Sequence, residues 1–472
     1  MSMAFIQTSC PKKRYLRIAF TFLNCQQKQN IDARATQYKT PAFAGGPNTG
    51  YTRDIMKRDR FGFVGASAGG AIFDIIRRDG PISRAQLGRV TNLSKSTVSL
   101  HVDRLLRLGV IKEEARQTDS GPGRRSLLRF SADHAFVVGI ELGITSIDVA
   151  VCDLEATVLH SHSEALDIAL GPVPVLQRAY ELVHGLLDDM GHSAGELAGI
   201  GIGLPGPVNR TLGSVVSPPI MPGWDRYPVR DEVTGQFDVP CFVDNDVNVM
   251  ALGEARAGSA RASESFLFVK IGTGIGAGLV IDGELYRGFK GSAGDIGHIG
   301  IDGETTRCAC GNRGCLEVVA GGAAIGRKGQ ELAAEGKSPA LAELAAELAA
   351  EDPPRSITAV EVGQAAAQGD TAALELVIES GRHVGSVLAK LVNFFNPEMV
   401  ILGGGTTNIG DAFVGAIREM VIRRSTQLAT VDLVIRRAAF GEQSGMVGAA
   451  LMVVDELYSI QRVTELLRDI ED

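Results

Sequence analysis

The chain has 472 residues, 45% hydrophobic and 22% charged, with 57 glycines, which is long enough for two or three domains with cores of their own. It contains no run of about 18 apolar residues, and this excludes a transmembrane helix. The net charge of −8 is unevenly spread: residues 1–60 carry 11 basic and 3 acidic side chains, 61–130 carry 12 and 6, and 131–472 carry 24 and 46, so a basic part suited to a polyanion precedes an acidic body.

Residues 1–60 show little periodicity. Lys12-Lys13-Arg14 before Ile18–Leu23 faintly resembles a signal peptide, but Arg17 interrupts the apolar run and no small-residue cleavage site follows. The segment is expected to be a disordered basic arm or an over-long gene model whose true start lies near Met56.

A helical pattern begins at about Gly69. Ala71–Arg78 reads as a helix stopped by Gly80-Pro81, and Ser83 is placed to cap a second helix carrying Leu87 and Val90. Thr91-Asn92 makes a short turn with Leu93 inward, and Ser94 caps a third helix in which Val98, Val102 and Leu105 form one buried stripe. Lys95, Ser96, Thr97 and Ser99 then lie on or beside its exposed face. Two short helices joined by a tight turn, the second starting with small polar and basic residues, is helix-turn-helix geometry. Val110–Lys112 and Arg124–Phe130, on either side of Gly121-Pro122-Gly123, read as a hairpin wing whose Arg124 and Arg125 would meet DNA phosphate or the minor groove. Residues 61–130 are therefore expected to form a winged helix-turn-helix, the alternative being a packing domain with a solvated basic face.

From Phe136 the pattern turns to strands. Phe136–Gly143 runs into Ile147–Val151, and Phe266–Ile271 leads through Gly272–Gly278 to Leu279–Ile281. Two such hairpins about 130 residues apart suggest two related lobes. Glycines in these turns, and in Gly403-Gly404-Gly405 after Met399–Leu402, let backbone N–H groups approach a phosphate. Leu341–Ala350 reads as a solvated helix.

Two constellations are sharper. Asp244-Asn245-Asp246-Val247-Asn248 follows the apolar Cys241–Val243; carboxylates and amides at a strand end suit a polyhydroxylated ligand, or else cap the helix beginning at Val249. The seven cysteines are an odd number, four of them scattered at Cys10, Cys25, Cys152 and Cys241, so they do not make a disulfide framework. The other three, Cys308, Cys310 and Cys315, follow Gly294-Asp295-Ile296-Gly297-His298 within eighteen residues and complete a tetrahedral Cys3His set, read as a closed structural zinc site.

Together these motifs resemble the ROK family (repressors, open reading frames, kinases) over about residues 65–460. The resemblance rests on the His298-x9-Cys308-x-Cys310-x4-Cys315-x-Glu317 spacing, Asp244-Asn245-Asp246, Gly203-Leu204-Pro205-Gly206 and Pro222-Gly223-Trp224. It implies an α/β chain: an N-terminal winged helix-turn-helix (61–130) ahead of a two-lobed, actin-like sugar-kinase fold (131–472). By the same resemblance Gly206, Asn245, Asp246, Asp295, His298 and Glu317 contact a sugar, with His298 also a zinc ligand through its other ring nitrogen. Family members usually carry Glu where this chain has Asp295.

In kinase members the residue matching Asp246 deprotonates a sugar hydroxyl that attacks ATP held with Mg2+. The corresponding nucleotide residues here would be Gly143, Thr145, Gly272, Thr273, Gly274, Gly276 and Gly404. The first turn departs from the Asp-x-Gly-Gly-Thr-Lys pattern, reading Glu141-Leu142-Gly143-Ile144-Thr145-Ser146, and this weakens the expectation of ATP and Mg2+. The resulting expectation is a cytoplasmic, sugar-responsive repressor, not an enzyme, binding operator DNA as a homo-oligomer (dimer or tetramer) and making no membrane contact. The alternative is an ATP-dependent sugar kinase with Asp246 as base.

Overall fold

The computed structural model describes residues 68–117 and 124–469; the extension 1–60 and the hairpin tip at Gly121–Gly123 lie outside the described residues. The chain divides into two units. One holds the residues up to Ala135 and those from Val454 onward, and the other spans Phe136–Val453. The boundary expected at 130/131 thus falls a few residues later, and the end of the chain belongs with the N-terminal unit.

In that unit α1 (Ala68–Asp79), α2 (Arg84–Thr91) and α3 (Lys95–Leu108) precede the antiparallel strands β1 (Ile111–Gln117) and β2 (Arg124–Phe130), paired from Ile111–Phe130 to Gln117–Arg124. Ser83 caps α2 in a capping box with Gln86, and Asn92 leaves it in the left-handed conformation at φ 55°. Ser94 caps α3 by accepting from the Thr97 N–H, and Gly109 closes it at φ 73°. Val98, Val102 and Leu105 are fully buried as the stripe requires, whereas Val90 faces solvent at 62% exposure. The chain's last helix, Ile460–Arg468, buries Val463 and Leu467 in the same unit. Phe73, Phe130 and Tyr458 form a ring cluster with centroids 5.5–6.1 Å apart. Arg77 pairs with Asp455 at 2.8 Å. Burial of each such apolar side chain is worth about 1.5–3 kcal/mol, which explains why the chain's end joins this unit.

The body repeats one sheet design twice. Its first lobe contains β3 (Phe136–Leu142), β4 (Ser146–Cys152), β5 (Val158–Ala165), α4 (Pro172–Asp189), β6 (Leu197–Leu204), the short pair β7 (Val208–Asn209) and β8 (Ser214–Val215), α5 (Val229–Phe237), β9 (Cys241–Asn245) and α6 (Asp246–Arg256). The second contains β10 (Phe266–Ile271), β11 (Ile275–Ile281), β12 (Glu284–Tyr286), α7 (Leu316–Ala320), α8 (Gly322–Ala334), α9 (Pro339–Ala349), α10 (Ala359–Ala367), α11 (Thr371–Phe395), β13 (Met399–Gly403), α12 (Asp411–Arg424), α13 (Gln427–Thr430) and β14 (Val434–Arg437). Helices α14 (Ser444–Leu457) and α15 (Ile460–Arg468) follow.

The sheet orders are β5-β4-β3-β6-β9 and β12-β11-β10-β13-β14. In each, a three-strand antiparallel meander is extended by two strands parallel to the first. Two lobes of one topology are what the paired glycine-rich hairpins predicted. Each lobe has its own apolar core, the first closed by Trp224, whose indole N–H donates to the Ile168 carbonyl at 3.0 Å.

The second glycine turn is shorter than expected. β11 begins at Ile275, so Gly276 and Gly278 lie in the strand and not in the turn. A Cβ on Gly278 would sit 2.6 Å from the Ala251 Cβ, and one on Gly276 would sit 2.9 Å from a Val247 methyl. Both glycines let α6 lie close against β11.

Candidate functional site

A cleft of about 1370 Å3 opens in the body. At its floor β9 ends and α6 starts, and Asn245 performs the junction. Its side-chain oxygen accepts from the Val247 and Asn248 N–H groups (3.0 and 3.3 Å), while its amide nitrogen donates to the Gly206 carbonyl (3.0 Å) and Asp246 Oδ1 (2.9 Å). The cap and the candidate ligand contact are therefore the same residue, its rotamer fixed from both ends. Gly206 sits at φ 85° and lines the cleft with Asn245 and Asp246. Asp244 is not part of the lining: 2% exposed, it accepts from Asn248 Nδ2 (3.0 Å) and pairs with Arg287 Nε (2.6 Å) and Arg210 Nε (3.4 Å).

Asp295, His298 and Glu317 line the same cleft. Gly294, at φ 98° and with the Ala277 carbonyl where a Cβ would be, delivers Asp295 into the short turn Ile296–His298. His298 faces two ways: Nδ1 lies 3.6 Å from Cys308 Sγ and 3.5 Å from Glu317 Oε1, and Nε2 lies 3.8 Å from Asp295 Oδ1. The donor atoms of His298, Cys308, Cys310 and Cys315 all lie within 4.8 Å of one another. One imidazole and three thiols so grouped could hold one metal ion. Burial pushes the Cys308 thiol up to about 12, and a bound cation would reverse that by taking the thiolate.

The nucleotide-side turns are internally tied. Gly143 N–H donates to the Ser146 carbonyl (2.8 Å), and Ile144 packs on the first lobe's core while bordering the cleft. Gly272 N–H closes its turn on Gly274 O (2.9 Å), and Gly272 O accepts from Gly322 N–H (2.7 Å) and Thr406 Oγ1 (3.2 Å). Thr145, Thr273 and Gly404 also line the cleft; Gly276 does so from within β11.

Between these turns lies a residue the sequence reading did not single out. Lys270 Nζ contacts Glu141 Oε1 and Asp246 Oδ2, each at 2.9 Å, with side-chain exposures of 20%, 6% and 9% respectively. Burial favours a neutral lysine, but the Asp246 and Glu141 carboxylates outweigh it and raise the Lys270 pKa. Burial likewise pushes the Glu141 carboxyl upward, against the pull of Lys270. The signal was present as the one charged residue of the strand Phe266–Ile271, since a lysine in a buried strand calls for a partner. A magnesium nucleotide does not fit this arrangement, because the carboxylates that would serve its metal already share an ammonium.

On the N-terminal unit Lys95 and Ser96 are exposed at the start of α3, Thr97 and Ser99 are partly exposed, and Ser94 Oγ lies 2.8 Å from both Ser96 Oγ and Thr97 Oγ1. Arg124 and Arg125 open β2, paired with Gln117 and Arg116.

Comparison with known proteins places both units. A winged helix-turn-helix DNA-binding model matches residues 70–112, and the ROK family model matches 137–456. The xylose repressor of Caldicellulosiruptor bescii is 29% identical over 378 residues, covering 80% of this chain and 93% of that one. A crystal structure of a ROK family transcriptional regulator, a homologue of the E. coli MLC protein, aligns with TM-score 0.71 and 27% identity over 85% of this chain and 98% of the other. A ROK family glucokinase from Streptomyces griseus, solved with glucose and AMPPNP, aligns with TM-score 0.60 and 29% identity over 67% of this chain and 98% of the other. With a winged helix-turn-helix ahead of a body matched by the family model from end to end, the chain belongs to the ROK family.

Proposed function

We propose that this chain is a sugar-responsive transcriptional repressor. Helix α3 and the β1–β2 wing bind operator DNA, and a sugar in the cleft weakens that binding. One observation carries the sugar half: Asn245, Asp246, Asp295, His298 and Glu317 all line one cleft, with carboxylates, an amide and an imidazole offered to hydroxyl groups. Neutral polyols need acceptors and donors at fixed spacing, and the capped, doubly bonded Asn245 supplies such rigidity. The xylose repressor relative and the winged helix-turn-helix DNA-binding match support the regulatory half, and operator binding makes the cytoplasm its place of action.

His298, Cys308, Cys310 and Cys315 fit zinc, whose preference for thiolate and imidazole matches this donor set. Bound there, zinc is structural and ties the loop of Asp295 and His298 to the start of α7, where Glu317 sits. The protein acts as a homo-oligomer, a dimer or tetramer whose paired winged helices read a two-part operator. The kinase alternative needs Asp246 free to take a proton, but Lys270 and Asn245 both hold it.

A thermal-shift panel of aldoses, their phosphates and disaccharides on zinc-loaded protein tests the reading. At least one sugar raises Tm, by ligand linkage to the folded state, with no ADP released from ATP in a coupled assay. Asp246-dependent turnover, or no response to any sugar, contradicts it.

A further inference from the structure

We propose that Lys270 is a built-in cation that takes the place of a divalent metal in the nucleotide half of the cleft, making this a single-ligand sugar site that works without magnesium nucleotide. The inference rests on the cleft reading above and deepens it. Its starting point is placement. Lys270 lies on β10, two residues before Gly272, paired across the sheet with Gly276 of β11 and Gly403 of β13. Two glycines as cross-strand neighbours leave the ammonium free to reach into the cleft, which it lines.

The ammonium bridges a carboxylate from each side of the first lobe's floor, Glu141 from β3 and Asp246 from α6, at 2.9 Å each. Around them the local charge is acidic: Asp148, opposite Glu141 on β4, is also buried. Glu141 is 5% exposed, and its Oε2 has no hydrogen-bond partner among the described residues. It lies against Gly445, where a side chain would collide with it. Three buried carboxylates grouped this closely repel one another unless a cation sits among them.

Two kinds of cation meet that need. Mg2+ requires near-octahedral oxygen ligands at about 2.0–2.1 Å and brings water and phosphate with it; a lysine ammonium needs only hydrogen-bond distance and brings nothing. Here the cation is covalent. It also occupies Asp246 Oδ2 with an ion pair at 2.9 Å, and the carboxylate can still accept a hydrogen bond from a sugar hydroxyl. Two of the three Lys270 donors are used. The third remains for a bound sugar.

The arrangement predicts that deleting the ammonium uncovers a divalent-cation site. In zinc-loaded protein, Mn2+ binding followed by electron paramagnetic resonance should find no ion in the wild-type cleft. It should find one additional Mn2+ in Lys270→Ala, with a rise in that variant's Tm when Mn2+ is added. Adding Asp246→Asn to Lys270→Ala should weaken that Mn2+ binding at least tenfold. Lys270→Met, which keeps the buried stem, should gain the same Mn2+ site and replaces Lys270→Ala in the test if the smaller side chain impairs folding. Mn2+ binding by the wild type that Asp246→Asn abolishes, or no added site in either Lys270 variant, overturns the inference. A sugar-induced Tm shift in wild type, measured in parallel with and without Mg·ATP, reads the cleft assignment separately. An absent shift sinks the sugar site and leaves the Mn2+ result to judge Lys270. A shift that requires Mg·ATP contradicts the single-ligand proposal.

Discussion

At the scale of single residues, the cleft is built from side chains held from two directions. Asn245 caps α6 with its oxygen and ties Gly206 and Asp246 with its nitrogen. Replacing Asn245 by Ala should cost about 0.5–2 kcal/mol of stability, the usual loss for a deleted cap, read as a lower urea midpoint. It should also abolish the sugar-induced Tm shift; an undiminished shift would take Asn245 out of the sugar site. The grouping of His298 with Cys308, Cys310 and Cys315 was legible in the sequence because the spacing of one histidine and three cysteines has few other uses. Lys270 was not, because its meaning depends on Glu141 and Asp246, which lie 129 and 24 residues away in the chain. Ile144, where the first turn departs from the Asp-x-Gly-Gly-Thr-Lys pattern, packs on the first lobe's core and borders the cleft.

At the scale of elements, periodicity and capping residues located the helix-turn-helix well. Ser83, Ser94 and the Val98–Val102–Leu105 stripe behave as read. Glycine in the body was less informative, since it serves turns and close packing alike. Gly276 and Gly278 were read as part of a phosphate turn and are strand positions on which α6 rests. This contact sets where α6 begins, and with it Asn245 and Asp246. Gly278→Val should therefore destabilise the body by about 1–3 kcal/mol through overpacking and shift sugar affinity as α6 moves. Calorimetric unfolding and sugar titration check this, and unchanged values for both would contradict the packing role. The last helix shows the limit of reading in chain order, since Val463 and Leu467 complete a core begun nearly four hundred residues earlier.

At the scale of the whole molecule, the uneven charge acquires a structural meaning. The basic stretch 61–130 contains the described winged helix-turn-helix, and the acidic stretch 131–472 contains both lobes of the cleft. The body keeps the two-lobed design it shares with a glucokinase solved with glucose and AMPPNP, and Lys270 lines its cleft. The most direct test is operator affinity, by fluorescence anisotropy on a DNA fragment the protein itself selects from random sequence, at fixed salt, with and without each sugar that raises Tm. A coupling of about 1–3 kcal/mol, typical of allosteric proteins, corresponds to a 5–150-fold change. The account predicts that at least one stabilising sugar weakens operator binding within that range, and that Asn245→Ala loses the effect; affinity unchanged by every stabilising sugar would contradict it.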